Sequence, residues 1–165
     1  MPGLPDTFPD FGLTEEARRK AVRSHYYEWP GMDGENGEIW CYTPAFTYQP
    51  GDRVELHVSS TATTCRMRIV RDGGTETVVV EVENIATAWQ DTPDQCSVEG
   101  CGWSATTAFR IGMDWPSGAY RIELTAEGRN GQQITCQHLI IVRPFVGRKP
   151  GRILQVAATG TWTAY

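Results

Sequence analysis

Apolar and polar residues alternate through most of the middle of this chain. In Arg53-Val-Glu-Leu-His-Val-Ser, Val54, Leu56 and Val58 fall on one side and Arg53, Glu55 and His57 on the other. That is the period-two pattern of a strand with one face in a core and the other in water. Cys65 to Arg71 repeats it, and Glu76 to Glu83 is a third run, rich in valine. Glu38 to Tyr42 precedes these runs; Thr107 to Ile111, Ala119 to Thr125 and Ile134 to Val142 follow them. The apolar end of the last run marks a central strand. Turn chemistry separates the runs, at Gln49-Pro50-Gly51-Asp52, at the hairpin signal Gly73-Gly74, at Trp115-Pro116-Ser117-Gly118 and at Arg129-Asn130-Gly131. Between Asn84 and Trp103 the alternation fails, in a loop holding Pro93 and two cysteines. About seven strands with turns between them predict a mainly β protein, an immunoglobulin-like antiparallel β-sandwich.

The two ends of the chain read differently. Met1 to Asp10 carries three prolines and two aspartates, which suits an extended arm. Thr14 then offers an N-cap, Glu15 and Glu16 occupy a first turn, and Arg18, Arg19, Lys20 and Arg23 follow, predicting a short helix from Glu15 to about Tyr27. Its apolar positions are modest, so it leans on a larger body or a partner subunit. At the other end, Arg143-Pro144 to Pro150-Gly151 is a stiff linker, and Arg152-Ile-Leu-Gln-Val-Ala-Ala is a short apolar run of the kind buried on both faces of a parallel sheet. Such a strand needs neighbours joined by crossovers of a dozen or more residues. The chain is therefore expected to hold an arm and helix over 1–30, the sandwich over 31–145, and a linker with the first strand of a truncated α/β domain over 146–165.

Composition narrows the function classes. A net charge of −5 with scattered Lys and Arg argues against nucleic acid as a partner. The N-terminus has no apolar run behind a basic start, and nothing approaches the roughly twenty apolar residues of a membrane helix, so no membrane association is expected and the cytoplasm is the default address. Five cysteines, an odd number, read first as reduced thiols. Cys41, Cys65 and Cys136 fit small core residues. Cys96 and Cys101 flank a polar Ser-Val-Glu-Gly, where a local bridge or half of a zinc site is a weaker alternative. No nucleophile elbow, phosphate loop or His-Glu-x-x-His motif is present. His25, His57 and His138 lie far apart, each with a structural explanation. Trp29, Trp40, Trp89, Trp103 and Trp115 suit core and corner positions, with a stacking platform for a glycan as the alternative.

Four stretches carry a family resemblance. Asp114-Trp-Pro-Ser-Gly-Ala-Tyr-Arg-Ile-Glu-Leu, the strand ending Ile140-Ile-Val-Arg-Pro, the sequel Gly151 to Tyr165, and Tyr48 to Ser60 together resemble the large (β) subunit of N,N-dimethylformamidase and its relatives. The likeness spans Gly31 to Tyr165. It implies an amidohydrolase that cleaves the C–N bond of N,N-dimethylformamide to dimethylamine and formate, with a small amide as substrate. It also implies an iron cofactor held by two tyrosines and a glutamate in an α/β domain after the sandwich, together with small-subunit and homo-oligomer contacts. Phenolate and carboxylate are hard oxygen donors suited to ferric iron. Tyr165, in the closing Thr-Trp-Thr-Ala-Tyr, is the residue that would correspond to an iron-binding tyrosine. The family's large subunit is several times longer, so a second tyrosine and the glutamate have no assigned counterpart. This stretch alone is then inactive, and its sandwich is a scaffold. The alternatives are a binding module for a glycan or protein and an assembly domain.

Overall fold

A computed structural model describes residues 36–93 and 96–144, all within one compact unit. Eight strands are present: β1 (Ile39–Tyr42), β2 (Thr47–Tyr48), β3 (Arg53–Ser60), β4 (Thr64–Arg71), β5 (Thr77–Ala86), β6 (Ala105–Arg110), β7 (Gly118–Glu127) and β8 (Gln133–Val142). A four-residue helical turn, α1 (Cys96–Glu99), interrupts the loop before β6. The expected arm and helix over 1–30, most of the linker, the final strand and Tyr165 lie outside the described residues.

The strands form two sheets, β1-β3-β6 and β2-β8-β7-β4-β5. All pairings are antiparallel except that of β2 with β8, which is parallel. This order, with a short strand running parallel to the last one, is immunoglobulin-like. The predicted alternation in β3 holds: Val54, Leu56 and Val58 are buried in the core. Met67 and Ile69 of β4, Tyr120, Ile122 and Leu124 of β7 and Ile140 of β8 meet them in one cluster. Each such side chain withdrawn from water contributes roughly 1.5–3 kcal/mol.

Two turns show why their residues are there. At Gln49-Pro50-Gly51-Asp52 the Asp52 amide donates to the Gln49 carbonyl at 3.0 Å, and the Gln49 amide donates to Asp52 Oδ2 at 2.8 Å. Gly51 sits at φ +91°, which the position after a turn proline requires. At the start of β7, the Tyr120 hydroxyl donates back to the Pro116 carbonyl at 2.7 Å, the tyrosine corner of such sandwiches. Ile122 stands two residues on, where antibody domains carry a disulfide cysteine. Trp115 stacks on Tyr120, with centroids 4.9 Å apart and planes 13° from parallel.

β5 runs past its predicted end at Glu83. Cys65 pairs with Ile85 but Met67 with Val82, so an extra residue is accommodated there and Asn84 takes φ +55°. This bulge re-aims the strand, and Ile85 returns to the core at 8% exposure. At Asn84 the alternation fails because the strand bulges, and beyond Ala86 it fails because the strand has ended.

Candidate functional site

The outer faces of the two sheets differ in chemistry. On the larger sheet, Arg66, Arg68 and Arg121 alternate with acids. Arg66 pairs with Glu81 and with Glu83 at 2.8 Å, Arg68 with Glu123 at 3.3 Å, and Arg121 with Glu76 and Glu123 at 2.6 and 2.8 Å. These cations are paired within the domain. On the smaller sheet the outer face is aromatic at one end and carries Arg53, Glu55 and Arg110 at the other.

That aromatic end is built from register. Ile39 and Cys41 of β1 point inward, so Trp40 and Tyr42 point outward, and β1 pairs with β3 so that Tyr42 lies opposite His57. The Tyr42 and His57 rings stack at 4.7 Å, 4° from parallel. Trp103 closes the cluster at 5.5 Å from Tyr42 and is 6% exposed. Gln90 fixes the loop that delivers Trp103: its side chain donates to the Val58 and Ser104 carbonyls at 2.9 and 3.1 Å and accepts from the Ser104 amide at 2.7 Å. Trp103 Nε1 donates to the Asp91 carbonyl at 3.2 Å. The side of β3 read as wet is therefore covered at His57.

His57 Nδ1 lies 2.6 Å from the Trp103 carbonyl. A carbonyl only accepts, so Nδ1 carries the proton and Nε2 is left as the bare nitrogen. Nε2 is buried and has no partner among the described residues. Burial raises the Tyr42 phenol, assisted by nearby Cys101 and opposed by the bond to Trp103. Burial also raises the Cys101 thiol, and the adjacent Cys96 adds to it. The phenol and the thiol stay protonated near neutrality. The cluster can accept a hydrogen bond at His57 Nε2, but it holds no activated nucleophile.

The other sequence candidates resolve separately. No cysteine is in a disulfide, and no group of three or more His, Cys, Asp or Glu among the described residues is arranged to hold a metal. Cys65 is core at 3% exposure, whereas Cys41 and Cys136 are half-buried. His138 Nε2 is 2.8 Å from Thr43 Oγ1, and the Thr43 hydroxyl donates to the Ala45 carbonyl at 2.7 Å. The single hydroxyl proton is thus committed, so His138 Nε2 is the donor and Nδ1 is bare. Burial alone lowers His138 to about 4.

None of Trp40, Trp89, Trp103 and Trp115 is fully exposed. Trp40 and Trp89 donate to Glu38 and Asp91 at 2.8 and 3.0 Å, and Trp115 packs on the core. No row of open indoles exists among them to stack a sugar. His25, Trp29 and Tyr165 lie outside the described residues. The sequence reading missed the Tyr42–His57 stack; the signal available was two outward-facing rings on neighbouring strands.

The sequence model of the N,N-dimethylformamidase beta subunit-like, C-terminal family matches residues 66–165. The chain belongs to that family. The match begins in β4 of this dimethylformamidase-like chain and runs through the rest of the sandwich to Tyr165. No curated protein matches the sequence. Among solved structures, the chain is similar to the sporulation control protein Spo0M from Bacillus subtilis, with TM-score 0.45 and 10% identity over 65% of this chain and 49% of that one. It is similar to murine CRIg, with TM-score 0.43 and 14% identity over 66% and 98%. A superoxide reductase (neelaredoxin) from Ignicoccus hospitalis follows at TM-score 0.40 and 8% identity over 66% and 82%. The chain thus spans about half the length of Spo0M. Among the described residues of the dimethylformamidase-like chain, no helix is long and apolar enough to cross a membrane.

Proposed function

We propose that this chain supplies the sandwich of an N,N-dimethylformamidase-like amidohydrolase, which hydrolyses the C–N bond of a small amide such as N,N-dimethylformamide to an amine and formate. The observation that carries the reading is the family match over residues 66–165, which joins the second half of the sandwich to the segment after it. In this reading the sandwich is a scaffold and the chemistry falls to residues beyond it.

The donors of the sandwich do not fit the iron that the resemblance implies. The Tyr42 ring is held in a stack between His57 and Trp103. The Tyr120 hydroxyl is committed to the Pro116 carbonyl, and the buried Tyr48 hydroxyl accepts from the Ala45 amide at 3.1 Å. The proposal therefore places the iron ligands outside the sandwich, with Tyr165 as one of them, and assigns no catalytic step to the strands described above.

The test is the protein expressed from its full reading frame, assayed for iron by elemental analysis and for dimethylamine release from N,N-dimethylformamide. Stoichiometric iron with amine release, both reduced in Tyr165→Phe, is the expected result. Absence of amine release from this and related formamides would sink the reading.

A further inference from the structure

The flank of the sandwich where the first and last strands face each other holds two matched side-chain pairs. Cys41 Sγ lies 3.6 Å from Cys136 Sγ, and Thr43 Oγ1 lies 2.8 Å from His138 Nε2. Both pairs are separated by 95 residues. β1 and β8 therefore face each other in step across the two sheets, and two-residue strides along each strand bring the next inward pair together. Ile39 and Ile134 keep the same spacing and belong to the same core.

A contact of 3.6 Å between sulfurs is unbonded, and a disulfide needs about 2.05 Å. The remaining gap is within reach of side-chain rotation, because both thiols already point at each other from strands held by backbone ladders. Both residues are half-buried, unlike Cys65 in the core. We propose that Cys41 and Cys136 are a disulfide-forming pair that staples the two sheets together when the protein meets a low-molecular-weight disulfide of the glutathione type.

The step balances with that co-reactant. The Cys136 thiolate attacks one sulfur of the small disulfide, forming a mixed disulfide and releasing one small thiol. Cys41 then gives up its proton and attacks the Cys136 sulfur, breaking the mixed disulfide and releasing the second small thiol. The two protein thiols are oxidised and the small disulfide is reduced to two thiols. This order of attack fits the site, since the hydrogen bond with Cys136 and then burial hold the Cys41 thiol in its protonated form. Cys65 lies near enough to act on Cys41 but is sealed in the core. Closing a loop of this length removes freedom from the unfolded chain, so the bridged form is the more stable one.

Native protein equilibrated with oxidised glutathione, alkylated and digested should yield a Cys41–Cys136 cross-linked peptide and lose two hydrogens from its intact mass. The bridged form should melt about 10 °C higher, reverting with dithiothreitol. Cys96→Ser with Cys101→Ser should leave the bridge intact, and Cys41→Ser should abolish it. Wild-type mapping needs no variant to fold: both residues recovered singly alkylated, or a bridge only to Cys65 or only between Cys96 and Cys101, would overturn the proposal.

Discussion

Acidification should destabilise this sandwich through His138. His138 sits on the inward side of β8, with its Nε2 proton committed to Thr43 and its ring 5.7 Å from that of Phe46. Burial lowers its pKa from 6.5 to about 4. The native state therefore resists protonation while the unfolded chain accepts it below pH 6.5. Stability is fully present above 6.5, falls as the pH drops toward 4, and falls no further from this group below that. Linkage gives a loss of about 2 kcal/mol at pH 5 and about 3 kcal/mol once the pH is below both values. At pH 5 the urea midpoint should move down by about 1.5 M relative to pH 7.5. His138→Gln keeps an N–H for Thr43 but cannot titrate, so its midpoint should stay nearly flat between pH 6.5 and 5. Carboxylates titrate mostly below this window, which makes it diagnostic. If wild type and His138→Gln lost stability in parallel between pH 6.5 and 5, the argument from His138 would be wrong.

Three further outcomes follow from packing and hydrogen bonding. Tyr120→Phe removes the donor to the Pro116 carbonyl and should cost about 1 kcal/mol, seen in calorimetry as a melting temperature lower by about 5 °C. Gly112→Ala places a methyl 2.3 Å from Trp115 Cδ1; the displaced indole should leave its stack on Tyr120, reported by a red-shifted tryptophan emission. Leu124→Ala opens a cavity in a site with 0% exposure and should cost about 3 kcal/mol in urea unfolding.

The strands of this fold were legible where one face meets the core and the other meets water. Val54, Leu56 and Val58 announce β3 because each turns its back on a charged or polar neighbour. The central position of β8 was legible for the same reason, from the apolar run that ends at Val142. β2 was not, since two residues hold no period, and its parallel pairing with β8 depends on a partner far along the chain. The valine-rich run marked β5 as a strand but not its place: β5 is the edge of its sheet, and Val78 and Val82 are 42% and 40% exposed. Sheet order, not local pattern, decides that. The pairs Cys41–Cys136 and Thr43–His138 were invisible for a related reason: they join opposite sheets, and no spacing rule reaches across 95 residues. His57 was placed on the right side of its strand, but its cover comes from Tyr42 and from the Trp103 loop.

The parallel pairing of β2 with β8 also determines how the sandwich would answer force. The Ile141 amide donates to the Phe46 carbonyl and the Arg143 amide to the Tyr48 carbonyl, each at 2.7 Å. A pull directed away from β1 at one end and away from Val142 at the other drags these two strands along their axes in opposite directions. Their bonds are then loaded together in shear, whereas the antiparallel hairpin of β7 and β8, opened from one end, would yield a bond at a time. Under such a pull the two bonds from β8 to the β2 segment would have to break together.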